Sequence, residues 1–224
     1  MFRQNLAQVE ERIVRACQAS GRRRDEITLV AVSKVFPAEA ILEAYEVGLR
    51  DFGENYVQEF EGKHPLVKHL GEARFHLIGH LQSNKTRKAG ELFHVVQTVD
   101  TPKLARRLNE VGRPLDVMIE VKLSEEDSKS GASSGNIAEI INEIRANEIR
   151  ACPQLKLLGL MTMPPWDEDA EKSRPYFRRL YALAQEHGLK ALSMGMSHDF
   201  EVAIQEGATH IRVGTALFGK RQRK

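Results

Sequence analysis

The residues of this chain that could carry chemistry stand where apolar, strand-like runs end. The run ITLVAVSK ends at Lys34, just where the backbone turns away. An exposed lysine amine has a pKa of about 10.4, and burial or nearby cations can lower that pKa enough to make the amine a nucleophile toward aldehydes. The alternative interpretation is a lysine whose ammonium group simply reaches solvent from a strand end.

A second group of such residues lies near the C-terminus, in SMGMSHDFEVAI and HIRVGTALFG. Ser197 offers a hydroxyl, and Gly214 and Thr215 offer backbone N–H groups where a missing side chain permits close approach. In (β/α)8 barrels, phosphate is often bound by the loops after strands seven and eight. Taken alone, Ser197 could be an ordinary helix N-cap and Gly214 an ordinary bend. The presence of both residues in the two loops that commonly bind phosphate favours phosphate binding.

Arg212 is the third element of this pattern. It precedes Gly214 by two positions, so strand alternation places both residues on one face. If that face lines a barrel interior, the guanidinium is partly buried and needs an acceptor, which a structural salt bridge would also provide. A lysine, a phosphate cradle and an interior arginine together suit pyridoxal 5′-phosphate, with Lys34 forming the aldimine and Arg212 facing the pyridine nitrogen.

The elements that must position these residues alternate between strand and helix. An amphipathic helix opens the chain, and ITLVAVSK is followed by the helix PAEAILEAYEVG. The stretch from DFGEN to about Gly71 is predicted as a short strand and a polar connection, and HIRVGTALFG as the last strand. About eight buried parallel strands predict a (β/α)8 TIM-type barrel with an extra N-terminal helix, in a single domain over residues 1–224. An open doubly wound sheet would need a glycine-rich turn where this chain has VSKVFP.

Composition excludes several classes of function. Lys and Arg total 33 against 31 Asp and Glu, a balance that gives no case for nucleic acid, and the basic end GKRQRK is expected to be a solvated tail. No apolar run approaches the roughly 18 residues of a membrane span. Cys17 and Cys152 form no metal or disulfide pattern, and no signal peptide is evident, so we expect a cytoplasmic protein. We also expect a monomer. His76 and His80 share a strand face but lack a third ligand, so no metal is expected.

Several motifs in combination resemble one known family. AVSKVFP, FGENYVQE, FHLIGHLQSNK, SKSG, GLMTM, SMGMSHDFEVAI and HIRVGTALFG, spread over residues 27–219, are similar to motifs of the pyridoxal phosphate homeostasis proteins. The resemblance implies a barrel like the alanine racemase N-terminal domain and pyridoxal 5′-phosphate as cofactor. The cofactor-binding residues that it implies are Lys34 (covalent aldimine), Asn55, His80, Ser197, Arg212, Gly214 and Thr215. One departure is visible, because many members carry a second lysine where this chain has Phe36.

The resemblance implies a carrier or buffer serving intracellular vitamin B6 homeostasis, not an enzyme, with pyridoxal-phosphate-dependent apo-enzymes as possible partners. An arginine at the ring nitrogen can only donate, which makes the cofactor a weak electron sink. The tyrosines fall in predicted helices or polar connections, and no second domain is expected to supply the acid–base tyrosine of a racemase. An amino-acid racemase with weak activity and a Schiff-base lyase acting on a phosphorylated substrate remain the alternatives.

Overall fold

The computed structural model describes residues 1–124, 131–149 and 154–219. Eight parallel strands form a closed barrel in sequence order, and β8 pairs with β1 to close it. The predicted (β/α)8 barrel and the extra N-terminal helix are both confirmed. Cys152, the first three residues of SKSG and the end of the chain after Gly219 lie outside the described residues.

The element bounds are as follows. The strands are β1 Thr28–Val32, β2 Asp51–Glu54, β3 Arg74–Leu77, β4 Val95–Val99, β5 Leu115–Glu120, β6 Leu155–Met161, β7 Ala191–Met196 and β8 His210–Val213. The α-helices are α1 Phe2–Ala19, α2 Ala38–Glu46, α3 Val57–Val67, α4 Thr86–Leu92, α5 Pro102–Asn109, α6 Ile137–Ile149, α7 Arg174–Glu186, α8 Phe200–Gln205 and α9 Thr215–Phe218. Within the described ranges, no helix combines the length and the apolar character that crossing a membrane requires.

Helix α3 corrects the prediction of a polar connection between DFGEN and Gly71. Its outer face is polar and it contains Pro65, so its sequence carries only a weak helical pattern. Phe60 is fully buried, and its ring packs against the rings of Phe75 and Phe93 at centroid distances of 4.7 and 4.9 Å. Packing against neighbouring elements stabilises this helix more than its own propensity does.

The prediction of one strand over HIRVGTALFG is also wrong. Strand β8 ends at Val213, and the amides of Leu217 and Phe218 both donate to the carbonyl of Gly214, which begins the short helix α9. Burial of Leu217 on the helical side of the sheet favours this turn over an extended strand. Gly214 and Thr215 therefore lie beyond the strand, on its rim.

Two layers of side chains fill the molecule. Outward-facing strand residues pack against the helices in one continuous apolar core. The barrel interior contains apolar residues such as Val30, Val32 and Ile78 around the missing side chain of Gly53, where a Cβ would lie 3.0 Å from Ile78 Cδ1. The interior also contains buried polar side chains, among them His76, Gln97, Ser193 and Arg212.

The extra helix α1 packs against α8 and α9, the two helices that follow the last two strands. Asn5 Nδ2 donates to the carbonyl of Leu217 at 2.9 Å, and Arg12 forms an ion pair with Glu201 at 2.7 Å. Arg12 also donates to the carbonyl of Ser197 at 3.3 Å. This helix therefore fixes the loops that follow β7 and β8.

Candidate functional site

The predicted site residues gather at one end of the barrel. Lys34 and His80 follow β1 and β3 closely, while Asn55, Ser197 and Gly214 come directly after β2, β7 and β8. Because the strands are parallel, these positions share the rim at which barrels of this type place their active sites. Thr215 follows Gly214, and Arg212 lies one layer deeper inside the barrel.

Lys34 is half-buried in a tight turn at residues 33–36. The amide of Phe36 donates to the carbonyl of Ser33 at 3.1 Å and closes this turn. Val35 has φ of 63°, the left-handed region that a β-branched residue rarely adopts, and it is the one non-glycine residue of the described chain with positive φ. Such a conformation costs about 1–3 kcal/mol and persists only where surrounding contacts enforce it.

The enforcing contacts come from helix α3 and the end of β2. Lys63 Nζ donates to the carbonyl of Ser33 at 3.0 Å and pairs with Glu54 Oε1 at 2.9 Å and Glu59 Oε1 at 2.6 Å. Glu59 Oε1 also accepts from the amide of Val35 at 2.6 Å, and Ser33 Oγ donates to Glu54 at 2.8 Å. Burial raises the pKa of Glu54, and Lys63 opposes that rise.

The residues predicted to hold phosphate meet at one point. The hydroxyl of Thr215 donates to Ser197 Oγ at 3.2 Å, and the amide of Ala216 donates to the same oxygen at 3.4 Å. A Cβ at Gly214 would lie 3.3 Å from the carbonyl oxygen of Val32, so the loop approaches β1 closely. Hydroxyls and backbone amides converging beside the strand that leads to Lys34 fit a phosphate group.

The loop that carries Ser197 is held from below. Gly195 has φ of 90°, and a Cβ there would lie 2.5 Å from the Cβ of Ala203. Asp199 accepts from the amide of Met196 at 2.7 Å and from Ser173 Oγ at 2.9 Å. The N-cap of α8 is Asp199, so the helix-capping interpretation of Ser197 is wrong and its hydroxyl faces the α9 loop instead.

Arg212 points into the barrel, as strand alternation predicted. Its side chain is buried, and it donates to Ser193 Oγ at 2.7 Å and to the carbonyl of Thr162 at 2.9 Å. Both acceptors are neutral, so these contacts are not the structural salt bridge that the sequence offered as an alternative role for Arg212. Burial lowers the pKa of Arg212 to about 10, with Asp199 and Glu120 opposing, so the guanidinium remains charged at neutral pH.

A chain of hydrogen bonds continues from Arg212 down the interior. Ser193 Oγ donates to Gln97 Oε1 at 2.6 Å, and Gln97 Nε2 lies 2.9 Å from His76 Nδ1. His76 Nε2 in turn lies 2.8 Å from Asp51 Oδ1. His76 is thereby part of the polar interior and is separated from the rim residue His80. Across the described residues, no three His, Cys, Asp or Glu side chains form a group able to hold a metal ion.

Two acidic residues at the rim were missed by the reasoning from sequence. Glu120 ends β5 and is 2% exposed, and its Oε2 has no hydrogen-bond partner among the described residues. Burial raises the pKa of Glu120 to about 7, Asp100 adds to the rise and Arg212 opposes it. Asp100, whose pKa burial also raises, lies 3.9 Å from His80. Their positions after buried strands were the signal that could have identified them.

Asn55 and His80 line a cavity of about 430 Å³ at the edge of the rim, together with Tyr56, Gln82 and Lys85. Asn55 Oδ1 is buried and has no hydrogen-bond partner in the described part of the chain. His80 is exposed, and Tyr56 is 57% exposed beside it. A tyrosine therefore does stand at the rim, although its sequence position suggested only a polar connection.

Comparison with known proteins identifies the family. The model of the alanine racemase N-terminal domain matches residues 4–222. The chain is 44% identical over 224 residues to the pyridoxal phosphate homeostasis protein of Pseudomonas aeruginosa, covering 97% of this chain and 95% of that protein. This chain belongs to the pyridoxal phosphate homeostasis protein family.

Solved structures of similar proteins agree with this fold. PipY of Synechococcus elongatus, solved without PLP, is 36% identical with a TM-score of 0.85, covering 98% of this chain and 100% of that one. PipY with PLP bound is 37% identical with a TM-score of 0.77, covering 94% of this chain and 100% of that one. Alanine racemase from Corynebacterium glutamicum shares the fold. It is 19% identical with a TM-score of 0.67, covering 96% of this chain and 61% of that one.

Phe36 ends the turn that carries Lys34, where its amide donates to the carbonyl of Ser33. Its ring packs against Phe218 of α9 at a centroid distance of 5.3 Å. Phe218 also contacts Phe2 of α1 at 5.1 Å. Phe36 thus joins the turn of Lys34 to the loop after β8 by apolar packing.

Proposed function

We propose that this protein binds pyridoxal 5′-phosphate covalently through Lys34 and serves vitamin B6 homeostasis as a cytoplasmic carrier or buffer. The observation that carries the proposal is the adjacency of two features on paired strands. Lys34 follows β1, the cluster of Ser197, Gly214 and Thr215 follows β7 and β8, and β1 pairs with β8. A single domain acting as a monomer is sufficient for this role.

The residues present fit the group. When bound, pyridoxal phosphate supplies a reactive aldehyde, a phosphate and an electron-withdrawing ring. Lys34 provides the amine that condenses with the aldehyde, with release of one water. Ser197, Thr215 and the amides near Gly214 would bind the phosphate oxygens, and Arg212 would face the ring nitrogen. Asn55 and His80 line the approach, where Asn55 Oδ1 still lacks a hydrogen-bond partner among the described residues.

The similarity to PipY supports the ligand, because that protein has been solved with PLP bound and is 37% identical. The name of the Pseudomonas aeruginosa relative supports the physiological role. The covalent link to Lys34 and the absence of turnover are inferences from this chain's own residues.

A carrier is favoured over a catalyst by the charge at Arg212. Its pKa, lowered to about 10 by burial, still leaves the guanidinium protonated at neutral pH. A protonated arginine has no acceptor for a proton on the ring nitrogen, so that nitrogen stays unprotonated. An unprotonated ring withdraws electrons weakly, which disfavours transaminase chemistry, whereas racemization would need a second acid–base group on the opposite face of the substrate.

A weak amino-acid racemase is the second candidate, and Tyr56 is the observation that favours it. Its phenol is exposed at the rim beside Asn55, where it could exchange a proton with a bound amino acid. Under this alternative, loaded protein interconverts the enantiomers of an amino acid and Tyr56→Phe abolishes that activity. Under the carrier proposal, Tyr56→Phe leaves loading and release unchanged.

The test is to load the purified protein with pyridoxal phosphate, record visible absorbance, reduce with borohydride and map the modified peptide by mass. We expect a yellow protein labelled on Lys34, loss of label in Lys34→Ala, and normal labelling in the control Lys190→Ala, because Lys190 is exposed and precedes β7, at the end of the barrel opposite the rim. A protein that stays colourless and takes up no label would overturn the proposal, and cleavage of a phosphorylated substrate by that protein would identify a lyase.

Transfer is tested separately from loading. Loaded protein is mixed with a pyridoxal-phosphate-dependent apo-enzyme, and the regained activity of that enzyme is measured against an equal concentration of free cofactor. Activation by the loaded protein, without racemase or transaminase turnover of its own, supports the carrier role. Turnover by the loaded protein alone contradicts it.

A further inference from the structure

We propose that Lys63 and Glu59 of helix α3 are positioning residues that hold the turn of Lys34 in one conformation, so that its amine meets the cofactor aldehyde in a fixed orientation. This inference rests on the proposed function, because it assigns a purpose to the geometry of Lys34. Neither residue needs to touch the cofactor. Both act through the backbone on either side of the lysine.

The two hydrogen bonds flank Lys34 on both sides. Lys63 Nζ donates to the carbonyl of Ser33, in the peptide group that precedes Lys34. Glu59 Oε1 accepts from the amide of Val35, in the peptide group that follows it. Fixing both neighbouring peptide groups restricts the backbone dihedrals from which the Lys34 side chain projects.

Lys63 is itself fixed by carboxylates on two elements. It pairs with Glu59 one helical turn away and with Glu54 at the end of β2, and its side chain is 9% exposed. Glu54 is fully buried and also accepts from the hydroxyl of Ser33. An ammonium held between two carboxylates in a buried setting has little freedom, so its bond to the Ser33 carbonyl is rigid.

The strained conformation at Val35 indicates that this restraint has a purpose. An unrestrained turn with valine at φ of 63° would relax, because β-branched residues disfavour that region. The hydrogen bond from the Val35 amide to Glu59 holds the strain in place. Backbone strain maintained by surrounding contacts is typical of sites that need a preorganised geometry.

The first test needs no cofactor. Hydrogen exchange of the Val35 amide and the reactivity of Lys34 toward acetic anhydride are measured by mass spectrometry in the unloaded protein. Glu59→Ala removes the acceptor, whereas Glu59→Gln removes only the charge and keeps an oxygen for the Val35 amide. We expect Glu59→Ala to speed Val35 exchange by about tenfold or more and Glu59→Gln to restore most of the protection. Equal protection in wild type and Glu59→Ala would overturn the proposal.

The second test uses loaded protein. Glu59→Ala and Lys63→Met are expected to lower the affinity for pyridoxal phosphate by about tenfold and to shift the pH at which the visible band is half-formed. The label should still map to Lys34. Lys88→Met is the matched control, since Lys88 of α4 pairs with Glu61 of α3 at 3.0 Å on the exposed side. It should behave as wild type.

The outcomes separate this proposal from the proposed function. Failure of wild type to label Lys34 defeats the proposed function whatever the variants do. Labelling of wild type with unchanged affinity and pH profile in a folded Glu59→Ala overturns the positioning role alone. Circular dichroism checks folding, and because Glu59 is partly exposed, its variants keep the test valid even if Lys63→Met fails to fold.

Discussion

Ser193 Oγ joins Arg212 to Gln97, accepting from the guanidinium at 2.7 Å and donating to the amide oxygen at 2.6 Å. A single hydroxyl therefore uses both its donor and its acceptor capacity in a fully buried position. The hydroxyl fixes the orientation of the Arg212 guanidinium, which lies beneath the rim. The ring nitrogen of the proposed cofactor would lie beside this guanidinium.

Ser193→Ala tests this link. Removing the hydroxyl leaves one Arg212 donor and one Gln97 acceptor buried without their partner, which we expect to lower the free energy of unfolding by about 1–3 kcal/mol. Denaturant unfolding measures the change. Ser83→Ala is the control, because that serine lies on a partly exposed turn outside the barrel interior. Equal stability of Ser193→Ala and wild type would show that the link contributes nothing.

Glu120→Gln should change the pH dependence of stability. The pKa of Glu120 is raised to about 7 in the folded protein, whereas an unfolded glutamate has a pKa of about 4.3. The folded state therefore binds the proton of Glu120 more tightly than the unfolded state does. The contribution of protonated Glu120 to the free energy of unfolding is complete below the pKa of the unfolded state, about 4.3, and is lost as the pH rises through the folded pKa of about 7. We expect Glu120→Gln, measured against wild type, to gain up to about 3 kcal/mol between pH 4 and pH 8.

The control for this prediction is Gln185→Ala, a substitution at an exposed position of α7. Because this change removes no ionisable group, its stability relative to wild type should not change with pH in the same range. A constant difference between Glu120→Gln and wild type from pH 4 to pH 8 would contradict the raised pKa.

Val35→Gly should relieve the strain in the lysine turn. Glycine adopts φ of 63° without a steric penalty, while its greater freedom in the unfolded chain costs about 0.5–1 kcal/mol. Against a strain of about 1–3 kcal/mol, we expect a net gain in stability of about 1 kcal/mol by thermal unfolding. A loss of stability would mean that the side chain of Val35 contributes more through packing than its backbone costs.

Gly214→Ala tests the close approach of the phosphate-side loop to β1. The added Cβ would lie 3.3 Å from the Val32 carbonyl oxygen and 3.4 Å from the Val32 Cβ, so the loop must shift by a few tenths of an ångström. We expect the affinity for pyridoxal phosphate to fall by about tenfold, measured by titration of the visible band. Gly71→Ala, which meets no atom within 4 Å, is the control.

The sequence by itself determined the barrel and the positions of the candidate site residues at its rim. Parallel strands buried on both faces leave continuous apolar runs, and the ends of those runs mark the rim. The location of Lys34, Ser197 and Gly214 at the rim could therefore be predicted from position alone, and barrels of this type place their sites at that rim. Arg212 followed from strand alternation, which is a local property of the backbone.

Only the tertiary structure decided what surrounds those residues. The sequence of helix α3 has only a weak helical pattern. The helix is stabilised by Phe60, which packs against aromatic rings of other elements, and such contacts cannot be seen in the sequence. The contacts of Lys63 with Glu54 and Ser33 join residues that are distant in sequence, and burial of Glu120 arises only when the barrel closes. Distance and burial are properties of the folded chain, and they set the charges and the strain that the sequence could not reveal.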